Sequence, residues 1–187
     1  TLDVQLAAFD ADEIDAGFLL HAPGAVPPGF AAWPALTEPL VMALPASHPA
    51  AARPVLHLAD VAAEPLVIFP RQIAPSLYDA LLAAYRARGA TPQIAQEAIQ
   101  MQTIVNLVSA GMGLAWVPEA VTRLQRPGVV YRAVADAPLR CQTSLVWRDQ
   151  GPPVVQRFVA HVMADAQAQA QTAAAGAATM PGSAADP

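Results

Sequence analysis

The sequence predicts an α/β protein, and residues 66–118 carry the pattern that predicts it. Apolar runs of strand length alternate there with segments of helical periodicity, in the order strand, helix, strand, helix, strand. That order implies crossover helices between parallel strands. Ligands of such sheets bind beyond the carboxyl ends of the strands, against helix N-termini. We therefore expect a site formed by residues 70–76 and 99–103.

Local signals define each element of this stretch. The first strand covers residues 66–69 and ends at Pro70. Ser76 occupies the position of a helix N-cap, and Asp79, three residues later, completes a capping box. Apolar residues then recur at helical spacing until Gly89 ends the helix. The second unit is predicted as an extended segment over 93–97, a helix over 101–110 and a buried strand over 114–117.

The segments on either side fit the same fold class. We predict a helix from Asp3 to about Asp12, strands over 14–20, 36–44, 129–134 and 143–148, loops over 21–34 and 46–53, short helices over 58–62 and 119–124, and a final helix opened by Pro152 and Pro153. The apolar side of that helix carries Val154, Val155, Phe158, Val159 and Val162. Beyond Gln167 the residues are mostly small or polar, and we expect disorder from about Ala173.

Composition and charge exclude several classes of function. The net charge is −5 and the ten basic residues are scattered, so the chain itself is not expected to bind DNA. No apolar run is long enough to span a membrane, and the N-terminus lacks the pattern of a secretory signal. The single cysteine, Cys141, is expected to be a partly buried thiol. The four histidines lack metal-ligand spacing, and no phosphate-binding loop occurs, so we expect neither metal nor cofactor.

The chain starts with a threonine, and its first predicted helix has no strand before it. In a parallel α/β lobe, a strand–helix unit normally precedes such a helix. We therefore expect that the sequence is part of a longer protein.

Four segments together resemble a known family. They are IDAGFLL at 14–20, PLVMALPASHPAA at 39–51, PLVIFPR at 65–71 and VNLVSAGMGLAWVP at 105–118. In this order they resemble the effector-binding half of LysR-type transcriptional regulators, over about residues 2–166. The family has an N-terminal winged helix-turn-helix and a linker helix, and this sequence contains neither; the opening strand of lobe one is missing as well.

The resemblance implies a two-lobed fold like that of type 2 periplasmic binding proteins, with mixed, mostly parallel sheets flanked by helices. Lobe one would comprise residues 1–45 and 139–166, and lobe two residues 46–138. The crossings between lobes would lie near Pro45 and Pro138. Residues 167–187 would form an alanine-rich, mostly disordered tail.

The candidate ligand-binding residues begin at the start of the first helix in the central stretch. Free N–H groups and the Ser76 hydroxyl, with Pro75 and Leu77, are expected to hold a carboxylate; alternatively, Ser76 only caps its helix. The segment also resembles the cleft loop of members that sense aromatic-derived carboxylates. Arg71 directly follows a strand and can pair with a carboxylate, or else it lies exposed or in an interlobe salt bridge.

Further candidates follow from the same strand ends. Gln102 and Thr103 can hydrogen-bond the same ligand, or they are ordinary first-turn residues. Ile73 is expected in an apolar wall of the site, and Phe69 either there or in the core. The acidic residues Asp12, Glu13 and Asp15 are interpreted as a helix end, and His48 as part of a structural turn.

The resemblance implies a cytoplasmic sensor that binds a small, anionic metabolite between its lobes, with aromatic-derived acids among the candidates. Binding would change how the missing winged helix-turn-helix contacts DNA. Members of the family pair antiparallel as dimers and assemble into tetramers. No membrane partner is expected.

Three alternatives remain open from the sequence. One is the solute-binding receptor of a transporter, which uses the same fold. Another is a dimerising module with an empty cleft. The third, an enzyme, is disfavoured because no nucleophile or acid–base pair is recognisable.

Overall fold

Four α-helices and seven β-strands lie within residues 1–178, the range that this structure, a computed structural model, describes. The helices in that range are α1 (Leu2–Asp10), α2 (Pro75–Arg86), α3 (Met101–Ser109) and α4 (Pro153–Ala178). The strands are β1 (Ala16–His21), β2 (Phe30–Pro45), β3 (Pro65–Ile68), β4 (Gln93–Glu97), β5 (Ala115–Pro118), β6 (Val129–Arg132) and β7 (Arg140–Arg148). Short 3₁₀ helices lie at Pro49–Ala52, Leu58–Asp60, Arg71–Ile73 and Glu119–Leu124.

The longest strand, β2, joins two groups of strands. From Phe30 to Pro39 it pairs antiparallel with β7, which pairs on its other side with β1. From Leu40 to Pro45 it pairs with β5 and β6. We call residues 1–39 and 140–178 the first half of the fold, and residues 40–139 the second half.

The chain crosses between these halves at two adjacent points. The N–H of Leu40 donates to the carbonyl oxygen of Leu139 at 2.8 Å, so the outgoing and returning crossings lie side by side. Leu139, at the return, directly follows Pro138, and the crossing between lobes predicted there stays a prediction. On the outgoing side β2 continues without interruption from residue 39 to residue 40 while its partners change, and the crossing predicted near Pro45 stays a prediction. Pro45 marks the end of a strand, and local sequence does not encode which strand is the neighbour.

The direction of strand pairing requires a correction. The α/β class is confirmed, the β3–β4 pair is parallel as predicted, and a parallel bridge joins Leu66 to Leu114. All described pairs among β1, β2, β5, β6 and β7 are antiparallel, so these sheets are not mostly parallel. The connection from β1 to β2 contains no crossover helix, and long-range contact with β7 sets the neighbours of both strands.

The central stretch has the predicted order of elements, β3, α2, β4, α3 and β5. The helix α2 buries Leu77, Leu81 and Tyr85, and α3 buries Ile104 and Val108. These residues recur at intervals of four positions, which places them on one face of each helix. Both faces pack into the same core.

The largest apolar cluster lies in the second half and contains Leu40–Leu44 of β2 together with residues of β3, α2, α3 and β5. The first half has two smaller clusters. Phe9 of α1 packs with Leu19 and Val146, and it contacts the Phe30 ring edge-to-face at 4.8 Å between centroids. On the opposite side, α4 covers Leu145 with Val155 and Val159. The α1 and α4 helices therefore lie on different faces of one sheet.

Some predicted boundaries differ from the structure. β2 begins at Phe30, inside the loop predicted over 21–34. Prolines are typical of loops, but those at 34 and 39 both lie within this strand and pair with β7. The final helix continues to Ala178, past the predicted onset of disorder, and residues 179–187 lie outside the described range. Val154 and Phe158, predicted for its apolar side, are more than half exposed. None of the helices within residues 1–178 has the length and hydropathy needed to traverse a bilayer.

Candidate functional site

The helix α2 begins differently from the prediction. Pro75 is its first residue and Ala74 its N-cap, so Ser76 lies inside the first turn. The Ser76 hydroxyl makes no capping bond, and Asp79 completes no capping box; both of those predictions are wrong. Proline suits the first helical position because its φ is fixed and it has no N–H to leave unpaired. The Ser76 side chain is therefore available for contacts outside the helix.

Ser76 contacts the other half of the fold. The N–H of Ala22, which directly follows β1, donates to Ser76 Oγ at 3.2 Å. With a lone pair engaged, the hydroxyl still has its hydrogen to donate. The N–H groups of Ser76 and Leu77 have no carbonyl partner within the helix, because both residues lie in its first turn. The start of α2 thus presents a cluster of donors at the positive end of the helix dipole.

A cavity of about 200 Å³ lies beside these donors, between the two halves. The second half contributes Pro75 and Ser76, and the first half contributes the remaining wall. That wall comprises Leu2 of α1, Leu19, Leu20 and His21 of β1, and Ala25 and Pro27 of the following loop. All of these side chains except Ser76 and His21 are apolar. The cavity therefore combines an apolar interior with a polar edge.

The buried imidazole of His21 organises this edge. Its Nδ1 lies 2.7 Å from the carbonyl oxygen of Ala22, which only accepts, so Nδ1 carries the proton. In the neutral ring Nε2 then accepts from the hydroxyl of Ser144, at 2.9 Å. Both ring nitrogens are bonded to protein atoms. The sequence treated His21 only as one of four scattered histidines; its place at the end of a buried strand was the signal that pointed to it.

Of the predicted site residues, Pro75 and Ser76 line this cavity. Leu77 lies next to it in sequence, but its side chain is buried in the core, so only its backbone faces the helix start. Arg71 and Ile73 do not line the cavity. Ile73 packs against the core of the second half, where Phe69 is also buried.

Arg71 is engaged with a side chain of its own half. Its guanidinium binds the Asp79 carboxylate through two hydrogen bonds, of 2.8 and 2.6 Å. These bonds raise the pKa of Arg71 and lower the pKa of Asp79. Of the alternatives that the sequence left open, this geometry fits an exposed arginine in a salt bridge, although both partners belong to the second half.

Gln102 and Thr103 are exposed residues in the first turn of α3. Gln102 lines a different cavity, of about 210 Å³, together with Val105, Asn106, Leu124 and Arg126. The structure therefore does not bring Gln102 into the wall around Ser76.

Another cavity, of about 710 Å³, lies at the point where β2 changes partners, and the sequence did not indicate it. Its charged lining residues are Glu38, Glu119, Arg123 and Arg140. Glu38 already has a partner within the fold, because its Oε2 accepts a hydrogen bond from the N–H of Ala120 at 2.6 Å. The residues lining this cavity are largely exposed and carry both signs of charge.

Other polar residues have structural partners. His48 accepts from the N–H of Ala50 and lies 3.6 Å from Glu64, in agreement with its predicted role in a turn. Burial raises the pKa of the Cys141 thiol to about 12, which makes it a poor nucleophile. Among residues 1–178, no three His, Cys, Asp or Glu side chains are grouped so that they could hold a metal ion.

The fold and the cavity define a class. Two α/β halves linked by adjacent crossings, with a small cavity between them, are the features of ligand-binding domains with the type 2 periplasmic-binding-protein fold. The family model described as LysR substrate binding domain matches residues 2–167, and the chain belongs to that family. The family consists of transcription regulators rather than enzymes.

Comparisons with individual proteins agree with this family membership. The HTH-type transcriptional regulator IlvR of Caulobacter vibrioides is 42% identical over 170 residues, which cover 90% of this chain and 56% of that protein. Full-length CbnR complexed with its target DNA is 27% identical, with a TM-score of 0.72 over 89% of this chain and 58% of that one. The BenM effector binding domain with benzoate shares the fold at 21% identity, with a TM-score of 0.68 over 99% and 81%. The chain thus spans little more than half the length of the full-length relatives.

Proposed function

We propose that this domain senses a small carboxylate, which binds in the cavity beside Ser76 and reports its presence to a DNA-binding domain. The donor cluster at the start of α2, facing a cavity walled by the other half, is the observation that supports this most directly. Pro75, Ser76 and Leu77 are the residues of the second half that would contact the ligand. We assign no direct ligand contact to Arg71, Ile73, Gln102 or Thr103, which do not line the cavity.

The hydrogen-bonding inventory favours an anion. Ser76 Oγ already accepts from Ala22, so it offers the ligand its O–H, and the two free N–H groups of the first turn are also donors. His21 presents no free nitrogen. A carboxylate accepts several hydrogen bonds and gains from the helix dipole, whereas the same dipole opposes a positively charged group such as an ammonium.

A ligand in this position would link the two halves. Its carboxylate would contact α2, while its body would lie against Leu19, Leu20 and Pro27 of the first half. It therefore changes the orientation of the halves only if it binds one arrangement more tightly than another. We identify the halves with the two lobes of the fold, which places the lobe boundaries at residues 39–40 and 139–140.

The effect of the ligand on DNA binding would depend on parts of the protein outside this domain. CbnR, which shares the fold, has been seen with its target DNA. We propose that the winged helix-turn-helix of a longer cytoplasmic protein binds DNA, and that self-association as a dimer or tetramer transmits the change. All five residues of β4 are exposed, including Ile94, and this strand edge offers backbone groups to a second copy.

Isothermal titration calorimetry tests the binding step. The protein is titrated with benzoate, with aliphatic carboxylates and with benzamide, the uncharged isostere of benzoate. Saturable binding of at least one acid, with no binding of the amide, supports the proposal. A folded protein that binds the amide as well as the acid, or no acid at all, overturns it.

A further inference from the structure

The cavity beside Ser76 has one edge of hydrogen-bond donors, and no cationic side chain is among its lining residues. The sequence has no lysine, so its ten basic residues are all arginines, and all of them lie within the described range. None of the ten lines this cavity. Apart from His21, the wall opposite α2 is aliphatic and consists of leucine, alanine and proline side chains.

The two arginines closest in sequence to Ser76 do not line the cavity. Arg71 is held by both oxygens of Asp79, through the two hydrogen bonds described above. Arg86 is at the opposite end of α2 from Ser76, about ten residues or 15 Å away by helix rise. Neither provides a counter-charge for a group deep in the cavity.

The nitrogens of His21 offer no free hydrogen-bond donor to a second carboxylate. Its Nδ1–H donates to the Ala22 carbonyl, and its Nε2 accepts from Ser144 Oγ. Both ring nitrogens are therefore already bonded to protein atoms. A second carboxylate in this space would lose its hydration and find neither a cation nor a free donor, which is costly for an ionised group.

We infer that the cavity selects monocarboxylates with an apolar body and rejects dicarboxylates of the same shape. This inference rests on the proposed function, because it assigns a ligand class to the same site. The single carboxylate lies at the start of α2, with the Ser76 O–H and the N–H groups of Ser76 and Leu77. The apolar body fills the space between Leu19, Leu20 and Pro27.

Isosteric pairs of ligands test this selectivity. Replacing an isopropyl group by a carboxylate preserves its branched shape, so 4-methylpentanoate is matched by succinate and 3-methylbutanoate by malonate. We expect the monocarboxylate of each pair to bind at least tenfold more tightly at pH 7.5, measured by calorimetry. Succinate or malonate binding as tightly as its partner overturns the inference but leaves the proposed function standing. If none of these acids and no benzoate binds, the proposed function fails and the inference fails with it.

A charge introduced into the wall gives a second readout. Ala25 is half-buried in the loop after β1 and lines the cavity, so Ala25→Arg adds a cation opposite α2. We expect this change to narrow the preference for 4-methylpentanoate over succinate by at least fivefold. The control, Ala87→Arg, adds the same charge at the exposed far end of α2 and should leave the ratio unchanged. Equal effects of both variants on the ratio would show that net charge, rather than the cavity wall, determines the preference.

Discussion

Ser76 Oγ and the Ala22 N–H form a hydrogen bond of 3.2 Å that connects the two halves of the fold at the rim of the candidate site. The bond continues into the first half through His21, which binds the Ala22 carbonyl and the Ser144 hydroxyl. The same hydroxyl that links the halves is one of the donors that we assign to the ligand. Ligand binding and the relative position of the halves therefore depend on a shared group.

Replacing Ser76 by alanine should weaken ligand binding. The variant removes one donor to the carboxylate and leaves the Ala22 N–H without its acceptor. A hydrogen bond to a charged group contributes about 1.5–3 kcal/mol, so we expect affinity to fall about tenfold or more. Calorimetry with the tightest-binding monocarboxylate measures the change.

Two variants serve as controls for Ser76→Ala. Ser47→Ala removes a hydroxyl from an exposed turn far along the chain from α2, and Arg71→Gln removes a charge that is bound to Asp79. Both should change affinity less than twofold. A large loss in Arg71→Gln, equal to that in Ser76→Ala, would instead place Arg71 at the ligand.

Replacing Gly113 by alanine should destabilise the second half severely. The residue has φ of +152°, and a Cβ there would lie 2.5 Å from the carbonyl oxygen of Pro65. That oxygen already accepts from the N–H of Leu114, at 2.8 Å, so it cannot move without breaking the bridge between β3 and β5. We expect a loss of about 2–4 kcal/mol in the free energy of unfolding, measured with urea.

Gly89→Ala provides the matched comparison, because Gly89 also has a positive φ, of +69°, but a Cβ there meets no atom within 4 Å. Only the backbone conformation opposes this substitution, and we expect a cost of about 1–2 kcal/mol. Equal losses in the two variants would show that the contact with Pro65 contributes nothing.

Asp136 should make stability depend on pH. Its carboxylate accepts from the N–H of Leu58 and from Arg88 Nε, both at 2.8 Å, and these bonds lower its pKa below the ordinary value of 3.8. A carboxyl whose pKa is lower in the folded state than in the unfolded state stabilises the fold above about pH 4. That stabilisation is lost as the pH falls through the folded-state pKa. Asp136→Asn should therefore cost about 1 kcal/mol at pH 7 and much less at pH 3, in urea unfolding.

The control for this prediction is Asp149→Asn, at an exposed residue after β7. Its effect on unfolding should be small at both pH values. A cost for Asp136→Asn that is the same at pH 3 and pH 7 would mean that the ionised carboxylate is not what stabilises this contact.

Cys141 should react with thiol reagents only when the protein opens. It is buried in β7, and its pKa of about 12 leaves almost no thiolate at pH 8. We expect labelling by a disulfide reagent to be slower than that of a free cysteine derivative by at least a hundredfold, and to accelerate with urea in parallel with unfolding. Labelling of the native protein at the rate of the free thiol would contradict the burial of this strand.

Local pattern was sufficient for the central stretch. The strand, helix and turn signals between residues 66 and 118 each depend on a few neighbouring residues. The structure contains each of the predicted elements in order. The start of α2 lies two residues earlier than predicted, with Ala74 rather than Ser76 as the N-cap, because Pro75 favours the first helical position. That small shift changed the role of Ser76 from a capping residue to a contact between halves.

The sequence by itself determined the fold class, the family and the helix whose N-terminus bounds the candidate site, because periodicity and motif spacing are local properties. Only the tertiary structure decided what faces that helix. The antiparallel pairing of β1, β7 and β2 brings His21 and Ala22 to Ser76, across more than fifty residues of chain. Such a contact depends on which strands become neighbours, and no short-range pattern records that choice.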